Sequence, residues 1–260
     1  MPSPSADSAP AELTGGGRFG AALRTADIPV IMELKRNSAH GADLFAGRPV
    51  GELVARYTEL GAPALSVVTG SWFGGTPELL EEVAEATELP LLVKDFFTKE
   101  KQIAAVAAAG ASAVLLTATV LPRTVLRRLI GICLEYDVTP FVEITSEAEL
   151  ATVEQAQDCV IAVNNKDIRQ RERDTGDLGR SHRLIDRVRA TGTAVPVSAS
   201  AIETPGDAAG LLSAGYRGLL IGTGLLRAAD LDAWFGELRA LWPPGAHDAT
   251  GADSRKERTP

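Results

Sequence analysis

Cysteine, histidine and aromatic side chains are all scarce in this 260-residue chain, which holds two cysteines, three histidines and an aromatic fraction of 5%. Two cysteines cannot build a disulfide framework. Cys133 and Cys159 each lie in an apolar segment, so reduced core thiols are expected, with a lone bridge as the alternative. His40, His182 and His247 fall in a loop, at a helix start and in the C-terminal tail, a spacing that builds no metal cluster. No apolar run reaches the length of a membrane-spanning helix. The first ten residues have no basic segment followed by an apolar one, so a cytoplasmic protein is expected. No Gly-x-Gly-x-x-Gly follows the first strand-like run, and no serine sits in a nucleophile elbow, which argues against a dinucleotide-binding sheet and a serine hydrolase. Positive charge is also in deficit: 26 Lys and Arg against 34 Asp and Glu give a net charge of −8. That balance disfavours nonspecific binding to nucleic acid or anionic lipid, although backbone N–H groups in a local pocket can still bind phosphate.

What is present is an ordinary globular composition, 45% hydrophobic and 23% charged, in a chain long enough for a large core. Residues 1–17 are rich in Pro, Ser, Ala and Gly and are expected to be disordered, as is the polar tail at 243–260. Residues 18–242 form the expected single domain, in which strand-like and helix-like runs alternate. Strands are predicted near Val30–Leu34, Ala64–Val68, Leu91–Val93, Ala113–Leu116, Pro140–Val142, Val160–Val163, Val195–Val197 and Gly218–Ile221. Helices are predicted over Val50–Leu60, Pro77–Ala86, Lys99–Ala109, Arg123–Tyr136, Ser146–Glu154, Ser181–Ala190, Thr204–Ala214 and Leu231–Leu241. The strands are apolar without strict alternation, as expected when helices cover them. Eight such units predict an α/β fold of the closed (β/α)8 TIM-barrel type, whose strand C-termini converge on one face.

Charge sits where these apolar runs end. Glu33 and Lys35 in Val30-Ile31-Met32-Glu33-Leu34-Lys35 share one side of a strand and can form a coupled pair, or simply a structural ion pair at the barrel mouth. Lys94 closes Leu91-Leu92-Val93 and suits a proton donor or carboxylate binder, or a partner for Asp95. Glu143 follows Phe141-Val142 and suits a general base or a salt-bridge anchor. Asn164-Asn165-Lys166-Asp167 offers amides to orient a ligand and a cationic donor, although such residues are also common in turns. Gly222-Thr223-Gly224 fits a short helix start that binds phosphate, and Ser38 can help hold an anion. Trp72 and Phe73, before Gly74-Gly75, can cover an aromatic ligand or pack their loop.

Taken together, these strand ends resemble the indole-3-glycerol phosphate synthase family from about Asp27 to Trp242. The resemblance rests on Glu33-Leu34-Lys35-Arg36, Phe73-Gly74-Gly75, Lys94-Asp95-Phe96, Val142-Glu143-Ile144, Asn164-Asn165-Lys166-Asp167 and Ile221-Gly222-Thr223 in that order. It implies a carbon–carbon lyase that closes the indole ring of a carboxyphenylamino deoxyribulose phosphate with loss of carbon dioxide and water, usually in tryptophan biosynthesis. It implies Lys94 as general acid, Lys35 as a second cation supported by Glu33, Glu143 as general base and Asn164 as an orienting group. Phe96 would border the substrate. Ser38, Ser200, Ala201, Gly222 and Thr223 would surround its phosphate, and Lys166 would also bind the substrate. The partner is thus a small sugar phosphate, with no metal or redox cofactor required. The chain departs from the family's Ser-Glu-Ser-Gly motif with Ser198-Ala199-Ser200-Ala201, carries Lys166 where arginine is usual, and has a short segment before the first strand. A specialised cyclase for a related aryl-amino sugar phosphate, in secondary metabolism, and a noncatalytic phosphate-binding homologue are the alternatives.

Overall fold

The structure is a computed structural model that describes residues 16–170, 173–193 and 195–243. In chain order the elements are α1 (Gly17–Thr25), β1 (Val30–Leu34), α2 (Val50–Glu59), β2 (Leu65–Val68), α3 (Pro77–Ala86), β3 (Leu91–Lys94), α4 (Glu100–Ala108), β4 (Ala113–Thr117), α5 (Arg123–Glu135) and β5 (Thr139–Ile144). There follow α6 (Glu147–Leu150), β6 (Val160–Asn164), α7 (Leu178–Ala190), β7 (Val195–Ala199), α8 (Pro205–Ser213), β8 (Gly218–Ile221), α9 (Thr223–Arg227) and α10 (Leu231–Leu241). All neighbouring strands pair in parallel, and β8 closes on β1 through Val30–Leu219, Ile31–Leu220 and Met32–Ile221. The expected (β/α)8 barrel is therefore present.

Strand parity divides the core. Ile31, Ala64, Leu92, Ala113, Phe141, Ala162, Val197 and Leu220 belong to an interior cluster, whereas Met32, Leu65, Val93, Val114, Val142, Ile161 and Leu219 pack in the outer layer with the helices. Because successive side chains alternate across a strand, the inward series continues upward to Glu33, Lys94, Glu143, Asn164 and Ala199. The register puts Glu143 beside Ala162, and Asn164 directly opposite Ala199.

One helix, α1, was not expected. In α1, Phe19 and Leu23 stand one turn apart and are buried in the interior cluster, and Phe19 meets Phe141 edge-on at 6.1 Å between ring centroids. The helix thus plugs the end of the barrel opposite the site. Its first residue, Gly17, belongs to the segment expected to be disordered; of that segment, residues 1–15 lie outside the described residues, as do 244–260 of the tail. The short helix start expected at Gly222-Thr223-Gly224 is present as α9, which has only five residues and follows β8 after Gly222. The helix predicted at Ser146–Glu154 is shorter than expected: it ends at Leu150, and a 3-10 turn at Ala156–Asp158 follows. Ser146 accepts from the Glu149 N–H at 3.3 Å, but the Glu149 carboxylate accepts from Thr145 N at 2.6 Å, which makes only half of the predicted capping box. α7 starts at Leu178, three residues before the predicted Ser181.

Candidate active site

Glu33 is the centre of the barrel mouth. Its side chain is 2% exposed and lies between two ammonium groups: Lys35 Nζ is 3.3 Å from Oε1, and Lys94 Nζ is 3.1 Å from Oε2. Ser66 Oγ on β2 donates to Oε2 at 3.5 Å. Burial alone would push the carboxyl upward, but the charges of Lys94 and then Lys35, with their hydrogen bonds, hold it down at about 2. Glu33 is therefore ionised at neutral pH and fixes both lysines. Lys35 Nζ also sits 5.0 Å from the centroid of the Phe73 ring.

Gly222 makes that geometry possible. A Cβ there would collide with Glu33 Oε1, so the missing side chain gives room to the carboxylate as well as to a ligand. The sequence signal at Gly222-Thr223 was a phosphate contact; the packing against Glu33 was not visible in it.

The cleft above has two parts. The larger, of about 730 Å³, is lined by Ser38, Ser200, Ala201, Gly222 and Thr223, expected at the phosphate end, and by Lys166, expected at the substrate, together with Arg173 and Arg227, which were not. The smaller recess, of about 30 Å³, is bordered by Lys94, Phe96, Glu143, Trp72 and Phe73. Glu33 and Lys35 line both. At the phosphate end, Ser38 Oγ accepts from Ala42 N at 3.1 Å, which leaves its O–H to donate elsewhere. Helix α9 begins at Thr223, so its first-turn N–H groups fall outside the intrahelical ladder.

Asn164 is fully buried and borders neither part of the cleft directly. Its Oδ1 accepts from Lys166 N at 2.8 Å, which fixes the amide orientation, and its Nδ2 has no hydrogen-bond partner among the described residues. Asn165 is instead the organising residue. Its Nδ2 donates to Ser198 Oγ at 3.0 Å, to the Ala199 carbonyl at 3.0 Å and to the Ser200 carbonyl at 3.1 Å. Its Oδ1 accepts from Ser181 Oγ at 2.8 Å. This network holds Ser200 and Ala201 at φ of 67° and 59°, a left-handed pair that is unfavourable for side-chain-bearing residues. Gly176 accommodates the Ala201 methyl, since a Cβ at Gly176 would overlap it. The sequence displayed the Asn164-Asn165 pair, but not which amide would turn into the β7 loop.

A parallel barrel with a fixed diammonium–carboxylate cluster at its strand C-termini is of the kind that runs acid–base chemistry on an anionic ligand. Its relatives are specific. The family model for indole-3-glycerol phosphate synthase matches residues 17–238, and the chain belongs to that family. It is 37% identical to indole-3-glycerol phosphate synthase 2 of Streptomyces coelicolor over 213 residues, 82% of this chain and 81% of the relative. To the synthase of Desulfosudis oleivorans it is 34% identical over 210 residues, 80% of this chain and 78% of the relative. To that of Pyrococcus furiosus it is 34% identical over 201 residues, covering 77% and 86% respectively. Among the described residues, no helix is long and apolar enough to cross a membrane.

Proposed function

We propose that the protein is an indole-3-glycerol phosphate synthase that acts in tryptophan biosynthesis. Its substrate is then 1-(2-carboxyphenylamino)-1-deoxyribulose 5-phosphate, closed to the indole with release of carbon dioxide and water. The observation that carries the reading is Glu33 clasped between Lys35 and Lys94 beside Glu143 in one recess. The sugar phosphate enters the larger part of the cleft, its phosphate on Ser38, Ser200, Ala201, Gly222 and Thr223, with Lys166 adding positive charge. The aryl ring goes toward Phe96 and Trp72. In the first step the ring carbon that bears the carboxylate bonds to the ketone carbon, and the ketone oxygen takes a proton from Lys94. Carbon dioxide then leaves with its bond electrons returned to the ring, which restores aromaticity. In the last step the new hydroxyl departs as water after protonation, and Glu143 takes a proton from the methylene carbon next to nitrogen. Lys35 stabilises developing negative charge, and Asn164, buried beneath the cleft, positions Lys166 by accepting from its backbone N–H.

Ala199 supports a second reading, a cyclase for a related aryl-amino sugar phosphate, because the β7 position facing Asn164 carries no acid. One assay separates the two. Purified protein is given the carboxyphenylamino substrate while indole fluorescence and carbon dioxide are followed. Turnover that falls about 10²- to 10⁴-fold in a folded Lys94→Ala protein is the expected result. Binding without turnover at high enzyme concentration would overturn the synthase reading in favour of the second, and full activity in Lys94→Ala would remove Lys94 from the chemistry.

A further inference from the structure

The recess that holds Lys94 and Glu143 has a volume of only about 30 Å³, which is about one water molecule's worth of space, whereas a cavity of about 150 Å³ is the size that takes benzene. An aryl ring therefore enters only if a lining side chain moves. Val68 and Leu115 are locked in the barrel wall, Glu143 is buried on β5, and Lys35 and Lys94 are held by Glu33. The looser pair is Trp72, which is 46% exposed, and the half-buried Phe96, whose rings lie against each other at 4.5 Å between centroids. Behind Phe96, between the loops after β3 and β4, runs a second space of about 350 Å³ lined by Phe96, Phe97, Thr98, Thr117, Val120 and Leu121. Phe96 and Thr117 border both spaces, so the Phe96 ring and the Thr117 side chain divide the recess from the groove.

We propose that this groove is an apolar subsite for a substituent on the aryl ring of the substrate, and that the protein accepts ring-substituted substrates through it. The proposal rests on the synthase reading for the placement of the ring. Phe96 backs onto open space, not onto packed core, so it is the wall that yields when the ring enters, and the ring's far edge then points into the groove. No charged side chain lines that space, and its only polar side chains are two threonines. Methyl, halogen or fused-ring substituents fit such a lining, whereas a charged substituent would be desolvated there without a partner. Val120 is 48% exposed at the outer edge, so covering it removes apolar surface from water without disturbing the core.

The experiment compares the parent substrate with methyl-, chloro- and benzo-fused derivatives at each open ring position. It measures kcat/KM for the substrates and Kd for carbonyl-reduced analogues that cannot cyclise. At least one position should bind about fourfold tighter than the parent for each methylene-sized group added. Val120→Asp should erase that gain and leave the parent's Kd within about twofold. The groove is refuted if every substituted analogue binds more weakly than the parent, or if the gain survives Val120→Asp. Position-dependent binding of this kind, with no cyclisation of the parent, would retain the groove and overturn the synthase reading alone.

Discussion

Replacing Glu33 with glutamine tests the electrostatic core of the site directly. The carboxyl is held down from 4.5 to about 2 in the folded protein, and at about 1.36 kcal/mol per pH unit this corresponds to about 3 kcal/mol of stability. The folded value lies below the unfolded one, so the contribution is complete above about pH 4.5 and is lost as pH falls toward 2. At pH 3 the unfolded carboxyl is mostly protonated while the folded one is still mostly ionised, which leaves less than half of that contribution. Glu33→Gln removes this titration, and it also leaves the Lys35 and Lys94 charges without the anion that joins them. Urea unfolding of both proteins at pH 7 and pH 3 provides the measurement, with the other carboxylates cancelling in the difference between them. The wild-type advantage should be about 3 kcal/mol or more at pH 7 and shrink by about 2 kcal/mol at pH 3. An advantage that stays flat, or grows as the pH falls, would show that the two lysines do not hold Glu33 as described.

Gly222→Ala should cost about 1–3 kcal/mol in thermal or urea unfolding and lower kcat, because the new methyl drives into Glu33 Oε1 and shifts the lysine pair. Asn165→Ala removes the donor shared by Ser198, Ala199 and Ser200, so stability should fall by about 2–4 kcal/mol. In the surviving folded enzyme KM should rise more than kcat falls, since the loosened segment belongs to the phosphate end; an unchanged KM would remove Asn165 from substrate positioning. Ala199→Glu should fold and raise kcat about tenfold, because Asn164 Nδ2 stands opposite with a donor to offer a new carboxylate. A loss of more than about 3 kcal/mol in unfolding of that variant would show that the new acid finds no donor there.

The barrel was legible because eight apolar runs with helices between them leave few topologies, and because strand parity alone sends Glu33, Lys94 and Glu143 inward. What escaped depended on contacts between distant segments. The Phe19 and Leu23 spacing in α1 is a helical signal, but the neighbouring Gly-rich run masked it, and only burial against Phe141 shows its purpose. Arg173 and Arg227 reach the cleft from a loop and from the last turn of a five-residue helix, where no local pattern marks them. The two asparagines illustrate the limit most clearly. They are identical in type and adjacent in sequence, yet one amide braces the β7 loop through two hydroxyl and two carbonyl partners and the other has a buried donor with none among the described residues. That difference arises where β6 ends, so that Asn164 keeps the inward parity of the strand while Asn165 turns across to Ser198 and Ser181. The orphaned donor and Ala199 are then one feature: across the β6–β7 pairing, a buried amide faces a methyl group that accepts no hydrogen bond. An unsatisfied buried donor costs about 1–3 kcal/mol, which a folded protein without bound substrate has to tolerate and a bound acceptor would remove.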